Sequence, residues 1–236
     1  DNLNMQASNF LNLSSSRPDG RSSGGTLRPF SCELSPLHRA DGSASFQSGS
    51  TQVLAAVYGP IAPQRSSIEK HDMAILSIIF PGNRGDESWL KVLLEGCICT
   101  DQYRRCVIQI NLQTIHDDGS LLSCALHAAI AALMDAGICM KRLPLATTIA
   151  LTKDGDILLD PTQEEEQTQT SVTLVSSSTN PDLVLASAGS GRLTFDRLLA
   201  VQEAASRTSP AVLAFLRLAI EQKVERQSLT LWADSN

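Results

Sequence analysis

The side chains best suited to chemistry on an anionic substrate are few and scattered. Arg104-Arg105 stands just before a weakly alternating apolar segment. A planar guanidinium fork grips phosphate oxygens, so this pair could hold a nucleic-acid backbone. A solvent-facing or interfacial ion pair fits the same residues equally well. Arg65, Lys70 and His71 form a second, similar group in a polar loop. Few aromatic residues accompany either group, so no base-stacking platform is visible. By position alone, Asp160 before Pro161 reads as a strand-end residue and Glu164 to Glu166 as a solvated acidic run. His38, His71, His116 and His127 show no H-x-x-x-H or comparable metal spacing. His127 falls in an apolar segment and reads as a packed histidine. The six cysteines contain no C-x-x-C pair, and most are flanked by apolar residues. They read as reduced core residues, with Cys97 and Cys99 spaced too poorly for a metal pair. The serine clusters lack a G-x-S-x-G elbow, and Gly189-Ser190-Gly191 is a turn rather than a nucleotide fingerprint. No cofactor and no metal site are expected.

The elements that must position these residues follow from periodicity. Residues 40–60, ADGSASFQSGSTQVLAAVYGP, read as two strands around a Ser48-Gly49-Ser50 turn. Leu27 to Leu34, Met73 to Phe80 and Arg105 to Ile115 read as further strands. Trp89, Val92, Leu93, Gly96 and Cys97 share one helical face. Ser120 is placed to cap a helix running to about Ala136, and that helix is apolar nearly all round, hence buried. Leu145 to Leu151 and Ile157 to Asp160 form a hairpin around Asp154-Gly155. Two more strands follow, then a helix from Thr194 that is expected to break near Ser209-Pro210 and resume to about Arg226. Strands interleaved with helices predict an α+β domain, mixed sheets with packed helices. The expected organisation is a flexible arm at 1–16, one domain at 17–228 and a tail at 229–236.

The chain has 236 residues, 42% of them hydrophobic, and a net charge of −6. Whole-molecule charge does not draw it onto nucleic acid, so RNA contact would need a local basic patch. No membrane span or secretory leader is expected.

Five segments occur in a telling order: RPDGR at 17–21, LRP at 27–29, the 40–60 hairpin, DDGSLLSCALHAAIAALMDAG at 117–137 and KDGDILLDPTQEEE at 153–166. Together they resemble the RNase PH family over roughly Arg17 to Lys223. Their wording is closer to the eukaryotic exosome members than to the bacterial enzyme or the catalytic archaeal subunit. The resemblance implies an RNase PH-like (ribosomal protein S5 domain 2-like) two-layer fold. It also implies other RNase PH-like exosome subunits as partners in a six-membered heteromeric ring, cap proteins above the ring, and single-stranded RNA in its channel. A homodimer is possible for the isolated chain. Such a complex works in nucleus, nucleolus and cytoplasm.

Active relatives hold phosphate with an arginine that follows a Gly-Thr pair at the start of the central helix. The helix N-terminus adds backbone donors to the same anion. In this chain Gly119-Ser120 is followed by Leu121. A second basic residue of the family aligns with Leu94, with Lys91 one turn earlier. Asp160 matches the first family acid and Glu166 the second, a pair commonly completed by a divalent ion. Acids without cations repel phosphate, so the resemblance implies a vestigial site at Leu94, Ser120, Leu121, Asp160 and Glu166. The rival is an active phosphorolytic or metal-dependent 3′ nuclease using Lys91, Asp160 and Glu166. On either reading Arg104 and Arg105 are candidates for touching RNA on a channel wall.

Overall fold

Alternating polar and apolar residues lay down the first sheet. β1 (Phe30–Leu34), β2 (Gly42–Ser48) and β3 (Thr51–Ile61) form an antiparallel meander. Val53, Ala55 and Val57 of β3 enter the core, while Leu54 and Tyr58 lie half-buried on the other face. β4 (Ile75–Ile79) leads through α1 (Arg84–Cys97) into β5 (Val107–His116). β4 runs parallel to β5, the pairing that such a helical crossover serves. The strand order is β1-β2-β3-β5-β4. In this computed structural model the described residues are 17, 19–21, 24–63, 70–82, 84–152 and 156–233. The expected arm at 1–16, Arg65 and the Asp154-Gly155 turn lie outside them.

α2 (Leu121–Asp135) buries 11 of its 15 residues. Such all-round burial follows from its place between two sheets: it packs on β2 and β3 of the first and on β6 of the second. The backbones approach closely where α2 crosses β2. A Cβ on Gly42 would stand 2.5 Å from the Ala132 carbonyl oxygen.

The second sheet holds β6 (Pro144–Leu151), β7 (Ile157–Leu159), β8 (Thr170–Ser177) and β9 (Val184–Gly189), ordered β7-β6-β8-β9 and antiparallel throughout. α3 (Gln163–Thr168) fills the link from β7 to β8, and α4 (Phe195–Ala233) packs on β6, β8 and β1. Every residue of β6 is buried. The larger core joins first-sheet residues to Leu145, Ala146, Val175, Val212 and Leu216 of the second half. Ile149, Leu159, Val172, Leu174 and Val201 form a smaller core.

Three expectations change. α4 does not break at Ser209-Pro210. The hydroxyls of Thr208 and Ser209 each donate to the Ala205 carbonyl at 2.9 Å and pair with Thr147 and Ser176 of the second sheet, so side chains hold the turn where proline lacks its N–H. α4 continues to Ala233, which places the tail boundary expected at 228 inside a helix. The acidic run at 164–166 is the short helix α3, whose Glu165 is buried. Among the described residues no helix is long and apolar enough to cross a membrane.

Candidate functional site: a cleft beside internally paired acids

β7 ends at Leu159, and the chain turns sharply there because Asp160 takes a left-handed conformation, φ 50°, ahead of Pro161. This turn delivers the Asp160 carboxylate into the interior, 5% exposed. A carboxylate so buried needs a partner, and Arg28 of the LRP motif supplies one. Arg28 Nε donates to Oδ2 at 3.0 Å and Nη2 to Oδ1 at 2.7 Å, a bidentate fork. The Arg28 backbone N–H and the Ser48 hydroxyl add further bonds at 3.2 and 2.9 Å. Burial pushes the Asp160 carboxyl up, but the hydrogen bonds and charge of Arg28 outweigh it and hold the group below its ordinary value. The same guanidinium donates to the carbonyls of Asp118 and Gly119, tying the Asp117–Gly119 turn to Asp160.

A second pair lies beside the first. Arg17 Nε and Nη2 donate to the two Glu165 oxygens at 2.9 and 2.6 Å, and Arg17 Nη1 reaches the Leu159 carbonyl at 3.0 Å. Arg21 Nη2 donates to the Asp160 carbonyl at 2.8 Å. Both arginines of RPDGR therefore secure the end of β7. Glu165 also accepts from the Thr162 N–H at 2.9 Å, closing the first turn of α3. Burial raises its carboxyl, but Arg17 and the Thr162 N–H outweigh that and lower it.

Glu166, one residue on, faces a cleft of about 580 Å³ lined by Asp86, Asp117, Ser120, Leu121, Thr148 and Gln163 among others. No lysine or arginine lines it among the residues whose side chains are described, a set that leaves out Arg84. The backbone N–H of Ser120, just ahead of α2, points into this region and donates to Glu166 Oε1 at 2.9 Å. The chain's own carboxylate thus occupies a donor that an external anion would use. Ser120 stands at the N-cap position of α2 as expected, but its side chain makes no capping bond. It adopts a left-handed conformation, φ 54°, and its hydroxyl donates to the Pro161 carbonyl at 3.1 Å, joining α2 to the start of α3. Burial, and then the nearby Asp117 charge, raise the Glu166 carboxyl, although the Ser120 N–H opposes them. A raised carboxyl costs stability that sets in as the pH rises past its unfolded value and is complete above the folded one. Glu166→Gln keeps an acceptor for Ser120 and removes the charge. It is expected to raise stability at pH 7 by up to about 1 kcal/mol, solvent screening limiting the gain, and to lose the advantage below pH 4. Urea unfolding at both pH values checks this.

The sequence pattern of the 3′ exoribonuclease family, domain 1, matches residues 26–139, and that of domain 2 matches residues 142–208. The chain belongs to the RNase PH family. Its relatives include the Arabidopsis thaliana protein named exosome complex exonuclease RRP46 homolog, 40% identical over 65% of this chain and 67% of that protein. A Caenorhabditis elegans exosome complex component RRP46 homolog is 30% identical over 85% of this chain and 97% of that one. The crystal structure of rice (Oryza sativa) Rrp46 superposes with a TM-score of 0.78 at 32% identity, covering 85% of this chain and 98% of the rice chain. The similarity is therefore to the RRP46 type.

Against the family pattern the structure brings together Ser120, Leu121, Asp160 and Glu166, and leaves others apart. Leu121 lines the cleft. Leu94 does not. It is fully buried in the larger core, because the face of α1 that carries it packs inward with Leu90 and Cys97. From α1 the acid Asp86 lines the cleft, and Lys91 does not. Leu94, set at a family cation position by the count from Arg105, is therefore not part of the cleft. Arg104 and Arg105 are exposed in the loop before β5. The cleft lies beyond the far end of that strand, roughly 30 Å away by strand rise. Lys70 and His71 are also exposed. His127 is packed as expected: its Nε2 accepts from the Ala146 N–H at 3.2 Å, its ring lies 5.1 Å from Phe46, and burial lowers its pKa to about 4.

The acid pair does not fit a divalent ion. Both Asp160 oxygens already accept from Arg28, so a cation there would meet a guanidinium. Sequence reasoning missed Arg17 and Arg28. Their motifs, RPDGR and LRP, were visible, but nothing local named the acids they would meet.

Proposed function

We propose that this chain is a non-catalytic RNase PH-like subunit of an RNA exosome ring, with a structural part in 3′–5′ RNA processing and degradation. In that role it pairs with other RNase PH-like subunits, supports cap proteins and lines part of the path of single-stranded RNA. Nucleus, nucleolus and cytoplasm are the compartments this role implies. The observation that carries the reading is the state of the cleft. Its acids are Asp86, Asp117 and Glu166, no cation lines it among the residues whose side chains are described, and Glu166 takes the Ser120 N–H. Phosphorolysis brings inorganic phosphate to a phosphodiester, and both are anions. A site for it needs cations to hold them and to stabilise the charge of the transition state. Losing one such donor costs about 10²–10³ in rate. Here Leu121 replaces one cation, and Asp86 lines the cleft from α1.

An active 3′ nuclease is the second reading. It is favoured by the retained Asp160 and Glu166 and by the word exonuclease in the name of the Arabidopsis relative. Incubating the purified chain with single-stranded RNA and Mg²⁺, with and without phosphate, separates the two. The expected result is intact RNA in both arms. Phosphate-dependent release of nucleoside diphosphates that is lost in Glu166→Gln would sink the silent-subunit reading.

A further inference from the structure

Two thiols meet where the two family units join. The segment leaving α1 and the segment leaving α2 run antiparallel, bridged at Ile98 and Met140. The Cys99 N–H donates to the Cys139 carbonyl at 3.0 Å and the Lys141 N–H to the Cys97 carbonyl at 2.7 Å. Cys99 and Cys139 are thereby set opposite one another, with their sulfurs 3.3 Å apart. Directly opposed residues in such a pair have Cα atoms about 4.5–5.5 Å apart, within the span a disulfide accepts. Forming the bond requires the sulfurs to close by only about 1.3 Å. The expectation that all six cysteines are inert core residues does not hold here. Cys99 is buried, but Cys139 is exposed, and Tyr103 fixes its backbone by accepting the Cys139 N–H at 2.9 Å.

We propose that Cys99 and Cys139 form a reversible disulfide that ties the segment leaving α1 to the last residue of the first unit, just before the second begins at residue 142. The oxidant is a small disulfide such as oxidised glutathione. The Cys139 thiolate attacks one glutathione sulfur, the glutathione S–S bond breaks, and one glutathione thiolate leaves. The Cys99 thiolate then attacks Cys139 Sγ and expels the second glutathione. Two protein thiols lose two electrons and two protons, and one glutathione disulfide gains them as two thiols. The resulting bond would close a loop spanning residues 99–139 and fix the segment that carries Tyr103, Arg104 and Arg105.

The test incubates the folded full chain with oxidised glutathione, traps free thiols with N-ethylmaleimide, and maps peptides by mass spectrometry without reduction. The expected product is a cross-linked peptide pair containing Cys99 and Cys139 that separates on reduction. The oxidised chain should melt about 5 °C or more above the reduced chain. In Cys99→Ser the reaction should stop at a glutathione adduct on Cys139, with no such rise in melting temperature. Wild-type Cys139 remaining a glutathione adduct, pairing with a second chain or staying free would overturn the proposal. So would a cross-link that leaves the melting temperature unchanged.

Discussion

Arg28→Ala is expected to destabilise the chain by roughly 3–5 kcal/mol, the range for removing one partner from a buried ion pair. The loss comes less from the missing attraction than from what stays behind. Asp160 would remain buried with neutral donors such as the Ser48 hydroxyl and the residue-28 backbone N–H in place of the guanidinium. The Asp118 and Gly119 carbonyls would lose theirs. The pH dependence identifies the mechanism. In the native chain the Asp160 carboxyl is depressed, so its contribution is present above the unfolded pKa of about 3.9 and is lost as pH falls through the lower folded value. In Arg28→Ala burial is no longer opposed by a guanidinium bonded to the carboxylate, so the carboxyl rises and the deficit should shrink between pH 7 and pH 5. A deficit equal at both pH values would locate the effect in packing instead. Adding Asp160→Asn removes the orphaned charge and should recover part of the loss, a coupling that urea unfolding of the four chains measures.

Gly119→Ala is expected to cost about 3 kcal/mol or more, and for a chain of this size to lower the melting temperature by roughly 6–12 °C. Gly119 sits at φ 82°, where an L side chain is strained. Its added Cβ would also stand 2.6 Å from the Gln163 nitrogen and the Thr162 carbonyl carbon, and 2.7 Å from the Pro161 oxygen. Those are backbone atoms of the turn into α3, and they cannot swing aside as a side chain would. Gly137→Ala is the control. Its φ is 70°, but nothing lies within 4 Å of the new Cβ. Strain alone remains there, about 1 kcal/mol. The difference between the two variants, read by calorimetry, measures the contact between the Asp117–Gly119 turn and α3.

Why the first of these sites escaped sequence reading and the second half-escaped it is a matter of range. Strand alternation in 40–60 and the apolar run of 121–135 are local signals, and the elements fall where those signals place them. The DDGS and LLDPT motifs bring Ser120, Leu121, Asp160 and Glu166 to one place, as the family resemblance implies. Yet Arg28 meets Asp160 across 132 residues and Arg17 meets Glu165 across 148. No periodicity encodes such a pairing. A six-residue helix is too short to show a period, so α3 looked like an acidic run. In α1 an ungapped count placed Leu94 at a position for a cation, but the count carried no information on which face turns inward. Pro210 misled for the opposite reason: a strong local rule was overridden by hydroxyls bound to the neighbouring sheet.

The long reach of Arg17 and Arg28 also sets an order in time for a chain made from its N-terminus. These two residues are synthesised early, and the acids that receive them appear more than 130 residues later. At typical rates of elongation that interval is on the order of ten seconds. During it the Arg17 and Arg28 guanidinium groups have yet to meet the acids that will bury with them. The first sheet can pair β1 with β2 and β3 meanwhile, since those contacts are local. Closure of the second half onto the first must wait until Asp160 and Glu165 have left the ribosome. A chaperone that shields a nascent, unpaired edge would therefore find its longest opportunity on the first half of this protein, and a stall placed before residue 160 should leave that half in a protease-sensitive state.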